Sequence, residues 1–229
     1  MAFPQRYLRN VSALSEDECV LLADKRVAVF GCGGLGGNLF EALVRIGVGH
    51  IRVVDGDVFE EHNLNRQLLS SAETLGKSKV DAAVQRAAIV NDLVQVEPKQ
   101  VFLDEGNARE LVEGFDCVVD CLDNLNARFW LAHACQEVGV PLVYGAIAGW
   151  FGQVCTVFPG DVSFVEIYGS TDGSSQHLKL GNLPFTAHSV AAVQASEAIK
   201  VLIGRGELIR NRLLMIDLLD GSAEELEFV

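Results

Sequence analysis

The residues equipped for chemistry fall in the first half of the chain. Gly31, Gly33, Gly34 and Gly36, in the run Gly31-Cys-Gly-Gly-Leu-Gly36, satisfy G-x-G-x-x-G directly after the apolar run Val27–Phe30 and ahead of Leu39, Leu43 and Ile46 at helical spacing. Such a turn keeps Cβ atoms away from approaching phosphates and leaves N–H groups exposed at a positively polarised helix end. Asp55 closes the next apolar run, Ile51–Val54, 19 positions after Gly36, where a carboxylate accepts hydrogen bonds from ribose hydroxyls. These features mean nucleotide binding, and alone they fit a NAD-dependent oxidoreductase.

Three later residues point instead to chemistry on phosphate. Arg66, in Asn63-Leu-Asn-Arg66-Gln67, follows the ribose acid closely enough to fold back toward the phosphates. Lys79, in GKSK, opens a second helix, where the polarised helix end and the ammonium together suit a polyphosphate. Asp123, in Asp123-Asn124, ends the apolar run Asp116–Cys121 at the carboxyl edge of a parallel sheet, and a hard carboxylate oxygen there suits Mg²⁺. Taken singly, each has an ordinary reading: solvated cations for Arg66 and Lys79, a helix cap for Asp123. Their joint occurrence in this order does not.

The elements that must position these groups alternate. After the capping-box pattern Ser15-Glu-Asp-Glu18 and a short helix with Val20, Leu21 and Leu22 on its apolar face, the chain runs strand, glycine turn, helix, strand. Residues 56–76 form a long polar connection of binding-loop type. A helix follows from Lys77 to about Asn91, striped by Val80, Ala83, Val84, Ala87 and Ala88. Then come a weaker strand over 94–103 broken by Pro98, a short helix over 107–113, the Asp116–Cys121 strand, a helix to about Val138 and the strand Pro141–Gly145. This rhythm predicts an α/β fold, a Rossmann-like mostly parallel sheet flanked by helices. The last third changes to an antiparallel C-terminal extension: Gly152–Phe158, with Val162–Tyr168 pairing beside it. A mobile stretch over Gly169–Gly181 follows, then a long helix Thr186–Ile203 stopped by Gly204, a closing strand Leu213–Leu218 and an acidic end at 224–227. One domain over residues 1–229 is expected, with a nucleotide-binding part over about 25–148 and a second part over about 149–229.

Composition narrows the partners. Acidic residues number 31 against 18 lysines and arginines, and the net charge of −13 argues against nucleic acid, which needs a cationic surface to displace counterions. The six cysteines, at positions 19, 32, 117, 121, 135 and 155, form no CxxC pair and lie in apolar company, as buried reduced thiols do. No run of 18 apolar residues and no signal-peptide pattern occurs, so the expectation is a cytoplasmic chain without a membrane partner.

Through RYLRN, GCGGLG, VVDGD, NLNRQ, GKSK, DCLDN, PLVYGAIAGWFGQV and QASEAIKVLIG the chain resembles the ATP-dependent activating enzymes that include ThiF, MoeB, HesA and the adenylation domains of ubiquitin-activating enzymes. That resemblance implies an adenylyltransferase using ATP and Mg²⁺. The C-terminal carboxylate of a ubiquitin-like sulfur-carrier protein ending in Gly-Gly attacks the α-phosphorus, giving an acyl-adenylate and pyrophosphate. By the same resemblance the glycines flank the phosphates, Asp55 holds the ribose and Asp57 assists nearby. Asn63, Arg66 and Lys79 hold and neutralise the triphosphate, and Asp123 binds Mg²⁺. Arg9 stands where the family's N-terminal arginine reaches a neighbouring subunit's phosphates, so a homodimer is expected.

The sequence also departs from its relatives. No CxxC pairs follow Gly152-Gln-Val-Cys-Thr-Val-Phe, so no zinc is expected. Gly169–Gly181 has no cysteine, with His177 near where one would fall. Cys155 reads as a packed residue and His188 as a packed or polar-satisfied one, rather than as catalytic residues. Activation of a small molecule, a peptide or a tRNA base on the same scaffold is the alternative reaction, and a non-catalytic nucleotide-sensing protein is the bland one.

Overall fold

A computed structural model describes residues 3–161 and 180–228; the expectations for Val162–Tyr168, for His177 and for most of the Gly169–Gly181 stretch lie outside the described residues. Eight strands form one sheet in the order β3-β2-β1-β4-β5-β6-β7-β8. The parallel part comprises β1 (Arg26–Phe30), β2 (His50–Val54), β3 (Gln95–Lys99), β4 (Cys117–Asp120) and β5 (Leu142–Ala148). The strands β6 (Phe151–Val157), β7 (Arg212–Asp217) and β8 (Ser222–Glu227) continue it antiparallel. The expected α/β class, with its parallel sheet and antiparallel extension, is therefore the observed one.

Central strands β1 and β4 are buried almost throughout because helices cover both their faces, which is why they read as unbroken apolar runs. The helices α2 (Gly34–Ile46), α3 (Lys79–Val90) and α6 (Pro184–Ile203) share one side, with α2 against α6, while α4 (Ala108–Val112) packs on α5 (Leu125–Val138). The core joins the two: Phe30, Leu39, Leu43, Ile51, Leu131 and Leu142 are all buried.

Local chemistry explains most boundaries and a few surprises. The capping box forms as expected, Ser15 Oγ accepting from the Glu18 N–H and the Glu18 carboxylate from the Ser15 N–H, and it starts α1 (Glu16–Ala23). The buried side of α1 is Cys19 and Leu22, however; Val20 and Leu21 are exposed, because so short a helix lays only one narrow stripe on α6. On α3 the stripe is Val80, Ala82, Ala83 and Ala87, with Ala88 turned outward. Pro98 does not break its strand, since β3 is an edge where a missing N–H costs no ladder bond. The acidic end is likewise a strand: β8 pairs with β7 along its length and is exposed on both faces, so no apolar alternation announced it. Its glutamates suit an outer edge that must not recruit another strand.

Glu97 ties β2 to β3. Its carboxylate accepts from Arg52 Nε and Nη2, each at 3.1 Å, and lies 3.0 Å from Lys99 Nζ. Burial alone would raise this carboxyl, but the Lys99 and Arg52 bonds bring it from 4.5 down to about 2. With the folded value below the unfolded one, the stabilisation is complete above about pH 4.5 and is lost as pH falls toward 2. Glu97→Gln should cost about 1–2 kcal/mol at neutral pH, part-exposure reducing the usual charged-bond contribution. It should also flatten the acid limb of the stability profile. Urea titrations across that pH window test this, and parallel wild-type and variant acid limbs would refute it.

Candidate active site

The glycine turn is built by close approach. Gly31 donates its N–H to the Val54 carbonyl at 2.8 Å and stands at φ +91°, where a Cβ would lie 2.7 Å from the Cys121 carbonyl oxygen. A Cβ on Gly36 would sit 1.6 Å from the Gly31 oxygen, so only glycine lets the first turn of α2 close on the end of β1. Gly33 is the N-cap of α2 and has no side chain with which to satisfy the first-turn N–H groups. Those donors are left for an anion. Gly34 faces Arg66, a Cβ there lying 3.4 Å from Arg66 Cγ and 3.5 Å from Ala187 on α6.

Asp55 and Lys79 form one lip of this turn. The two Asp55 oxygens accept from the Cys32 N–H at 2.7 Å and the Asp57 N–H at 2.8 Å. Burial raises the Asp55 carboxyl, against the pull of the Lys79 ammonium and these two amides. Lys79 is the first residue of α3, behind its cap Ser78, and it is buried. Its Nζ lies 2.8 Å from Asp57 Oδ2 and 3.9 Å from Asp55 Oδ2, while the Asp57 side chain is 54% exposed.

The opposite lip carries Arg66 and Asp123. Arg66 crosses Gly34 and donates to the His62 carbonyl at 3.1 Å and to Asn65 Oδ1 at 2.8 Å. Burial lowers the Arg66 guanidinium, and the Asp123 charge offsets part of that. Asp123 is exposed just beyond β4. The cap of α5 is Asn124, whose side chain accepts from the Ala127 N–H at 3.0 Å, so Asp123 is not spent as a helix cap.

Beneath this loop lie two residues the sequence reading passed over. Asp120 is fully buried and accepts the Leu122 N–H at 2.8 Å, and burial raises its carboxyl. Arg128, on α5, donates to the Leu122 carbonyl, lies 4.0 Å from Asp120 and sits 4.9 Å over the Tyr144 ring. The loop bearing Asp123 is therefore gripped through both its N–H and its carbonyl. The available signal was a single arginine in an otherwise uncharged stretch, four residues after Asn124.

Other candidates stand apart. Asn63 is buried, its side-chain oxygen accepting the Glu60 N–H at 2.9 Å, and so shapes the turn that delivers Arg66. Cys155 is buried in β6 with its thiol pushed up to about 12. His188 is exposed, a correction to the packed reading: it lies on the outer side of α6, whose inner side carries Thr186, Ala187 and Val190. Arg9 is far from the turn. Tyr7 before it is anchored at the opposite end of α2, its hydroxyl oxygen accepting from Asn91 Nδ2 at 2.8 Å. Its ring occupies the space where a Gly47 Cβ would lie, 2.6 Å from Tyr7 Cζ.

A parallel α/β sheet that carries these groups at its carboxyl edge defines a nucleotide-binding protein. The ThiF family pattern matches residues 6–228, and the chain belongs to that family. It is 36% identical over 213 residues to the SAMP-activating enzyme E1 of Haloferax volcanii, covering 90% of this chain and 78% of that one. It is also 36% identical over 213 residues to the sulfur carrier protein adenylyltransferase of Thermus thermophilus, covering 87% of this chain and 77% of that one. The fold agrees with E. coli MccB at a TM-score of 0.86 and 20% identity, over 98% of this chain and 72% of that one.

Proposed function

We propose that this chain is an ATP-dependent adenylyltransferase that activates the C-terminal carboxylate of a ubiquitin-like sulfur-carrier protein, releasing pyrophosphate. One observation carries the proposal. Arg66 and Lys79 bracket the glycine turn as two separate cations, and the exposed carboxylate of Asp123 lies close enough for its charge to act on Arg66. Hydride transfer needs no such arrangement, whereas displacement at phosphorus needs charge neutralised on oxygens. The relatives named for sulfur-carrier adenylation and for SAMP activation support the same reading.

The residues fit MgATP. Gly31, Gly33, Gly34 and Gly36 leave a cradle that side chains would fill, with free amides at the start of α2. Asp55, with Asp57 beside it, is the sugar-binding acid, and Asn63 sets the loop from which Arg66 reaches the phosphates. Lys79 supplies the second positive charge. Among the described residues no group of three or more His, Cys, Asp or Glu could hold a metal ion. Asp123 would thus hold Mg²⁺ together with phosphate oxygens and water, the usual way this ion is bound. When bound, Mg²⁺ screens the negative charge that would repel an incoming carboxylate. Arg66 and Lys79 do the same from the chain, and no side-chain nucleophile is required.

The carrier would dock on the part beyond residue 148. Trp150 and Phe185 pack against each other with centroids 4.8 Å apart while remaining 39% and 40% exposed. This exposed aromatic pair is the surface on which the carrier would rest. It joins the nucleotide site through Asn65, whose side chain donates to the Asn182 carbonyl. A homodimer supplies Arg9, and a cytoplasmic location suits the six free cysteines. No helix among the described residues is long and apolar enough to cross a membrane.

The test is ATP–pyrophosphate exchange with the ubiquitin-like, Gly-Gly-ended protein encoded in the same genome. Exchange is expected with that carrier present and only background without it. No exchange above background with any such carrier would end the proposal.

A further inference from the structure

The segment ahead of α1 is clamped to the fold at a buried side chain, Asn91. This residue follows α3 as its C-cap and is 2% exposed. Its Nδ2 donates to the Val44 carbonyl in the last turn of α2 and to the Tyr7 hydroxyl oxygen, each at 2.8 Å. Its Oδ1 accepts from Arg6 and from the Leu93 N–H, so both ends of the amide are bonded. The Tyr7 ring enters a notch beside Gly47, which stands at φ +95° and where a Cβ would meet Tyr7 Cζ, Oη and Cε1 at 2.6, 2.7 and 2.8 Å. Ring and hydroxyl are thus both fixed, one by a missing side chain and the other by a buried amide.

Beyond this clamp the chain turns outward. The Asn10 N–H donates to the Tyr7 carbonyl at 2.9 Å, closing a turn whose two central residues, Leu8 and Arg9, are both exposed. The Arg9 side chain takes part in no hydrogen bond or ion pair among the described residues. The buried amide of Asn91 therefore holds, through Tyr7, the backbone under a cation that has no partner among the described residues of its own chain. A cation that must meet phosphates depends steeply on such support, since a misplacement of about 1 Å can cost about a hundredfold in rate.

We propose that Tyr7 and Asn91 are positioning residues that act in trans, holding the turn from which Arg9 reaches the phosphates of a second copy. This rests on the reading of Arg9 as a residue that serves a neighbouring site, and adds what fixes its aim. A clamp needed only for its own fold would impair its own site; a clamp on Arg9 impairs the neighbour's. Carrier-dependent pyrophosphate exchange by the full chain, in equal mixtures of tagged variants with mixed dimers demonstrated, separates the two. Tyr7→Ala alone should lower exchange about a hundredfold. Tyr7→Phe, which keeps the ring and removes the oxygen that Asn91 holds, should lower it about fivefold. Tyr7→Ala mixed with Asp123→Ala should recover to about a quarter of wild type, because the Tyr7→Ala protomer keeps an intact site and receives a well-held Arg9 from its partner. Tyr7→Ala mixed with Arg9→Ala should stay low, since neither protomer offers a held Arg9. Recovery with Arg9→Ala but not with Asp123→Ala marks a role within the protomer's own site and overturns the proposal, as does wild-type exchange in either Tyr7 variant. If Arg9→Ala and Asp123→Ala complement each other while Tyr7→Ala and Asp123→Ala do not, the clamp alone fails. If Arg9→Ala and Asp123→Ala do not complement each other, the trans reading fails and the clamp with it.

Discussion

Replacing Asp123 with alanine is expected to lower carrier-dependent pyrophosphate exchange about a hundredfold or more, the usual cost of losing a ligand to the cation that neutralises charge on phosphate oxygens. The expectation follows from what Asp123 does not do. It leaves the capping of α5 to Asn124, and its loop is secured by Asp120 and Arg128 through the Leu122 backbone. The side chain can therefore be removed without loosening the element that carries it. Thermal unfolding of Asp123→Ala should match wild type within a degree or two, as exposed substitutions away from caps and cores generally do. Its removal should also leave Arg66 without the nearby negative charge that offsets burial. Exchange assays over a Mg²⁺ titration, run with melting curves, check both halves. Exchange near the wild-type rate would strip Asp123 of its proposed role.

The second large effect concerns Arg9. The α2 helix has 13 residues and so separates Tyr7, at its far end, from the glycine turn by roughly 20 Å. The two residues from Tyr7 to Arg9 add at most about 7 Å. The arginine side chain does not bridge what remains, so an Arg9 that meets phosphates meets those of another copy. Arg9→Ala should then abolish exchange, and so should Asp123→Ala. Mixing the two variants should restore about a quarter of wild-type activity, because half the dimers are mixed and one of their two sites has both residues. Tyr7 and its anchor are untouched by either change. Activity absent from the mixture, with mixed dimers demonstrated by size and tag capture, would place Arg9 outside the site.

Much of this molecule was legible in the sequence. The parallel sheet announced itself because strands buried on both faces carry unbroken apolar runs, and the glycine turn because its spacing admits few other uses. Arg66, Lys79 and Asp123 could be singled out as candidates for a similar reason: each is a charged residue beside the end of an element, a position chain order reveals. Groups that act across long separations were hidden. Nothing near Gly47 says that its missing side chain makes room for Tyr7, and nothing near Gly56 says that it backs Phe102. Asp120 and Arg128 read as ordinary strand and helix residues until the fold sets them under one loop. The β8 strand was missed because an edge exposed on both faces carries no periodic signature.

The cysteines have a consequence for the proposed pathway. Each of the six is free and buried, and burial is the largest influence raising every one of the thiols, Cys19, Cys32, Cys117, Cys121, Cys135 and Cys155. A thiol that stays protonated is a poor acceptor of an acyl group. The activated carrier made here would thus leave as a mixed anhydride, still charged with the energy of the broken phosphate bond. Sulfur would reach it from a separate donor, making this chain the first station of a relay rather than the whole of one.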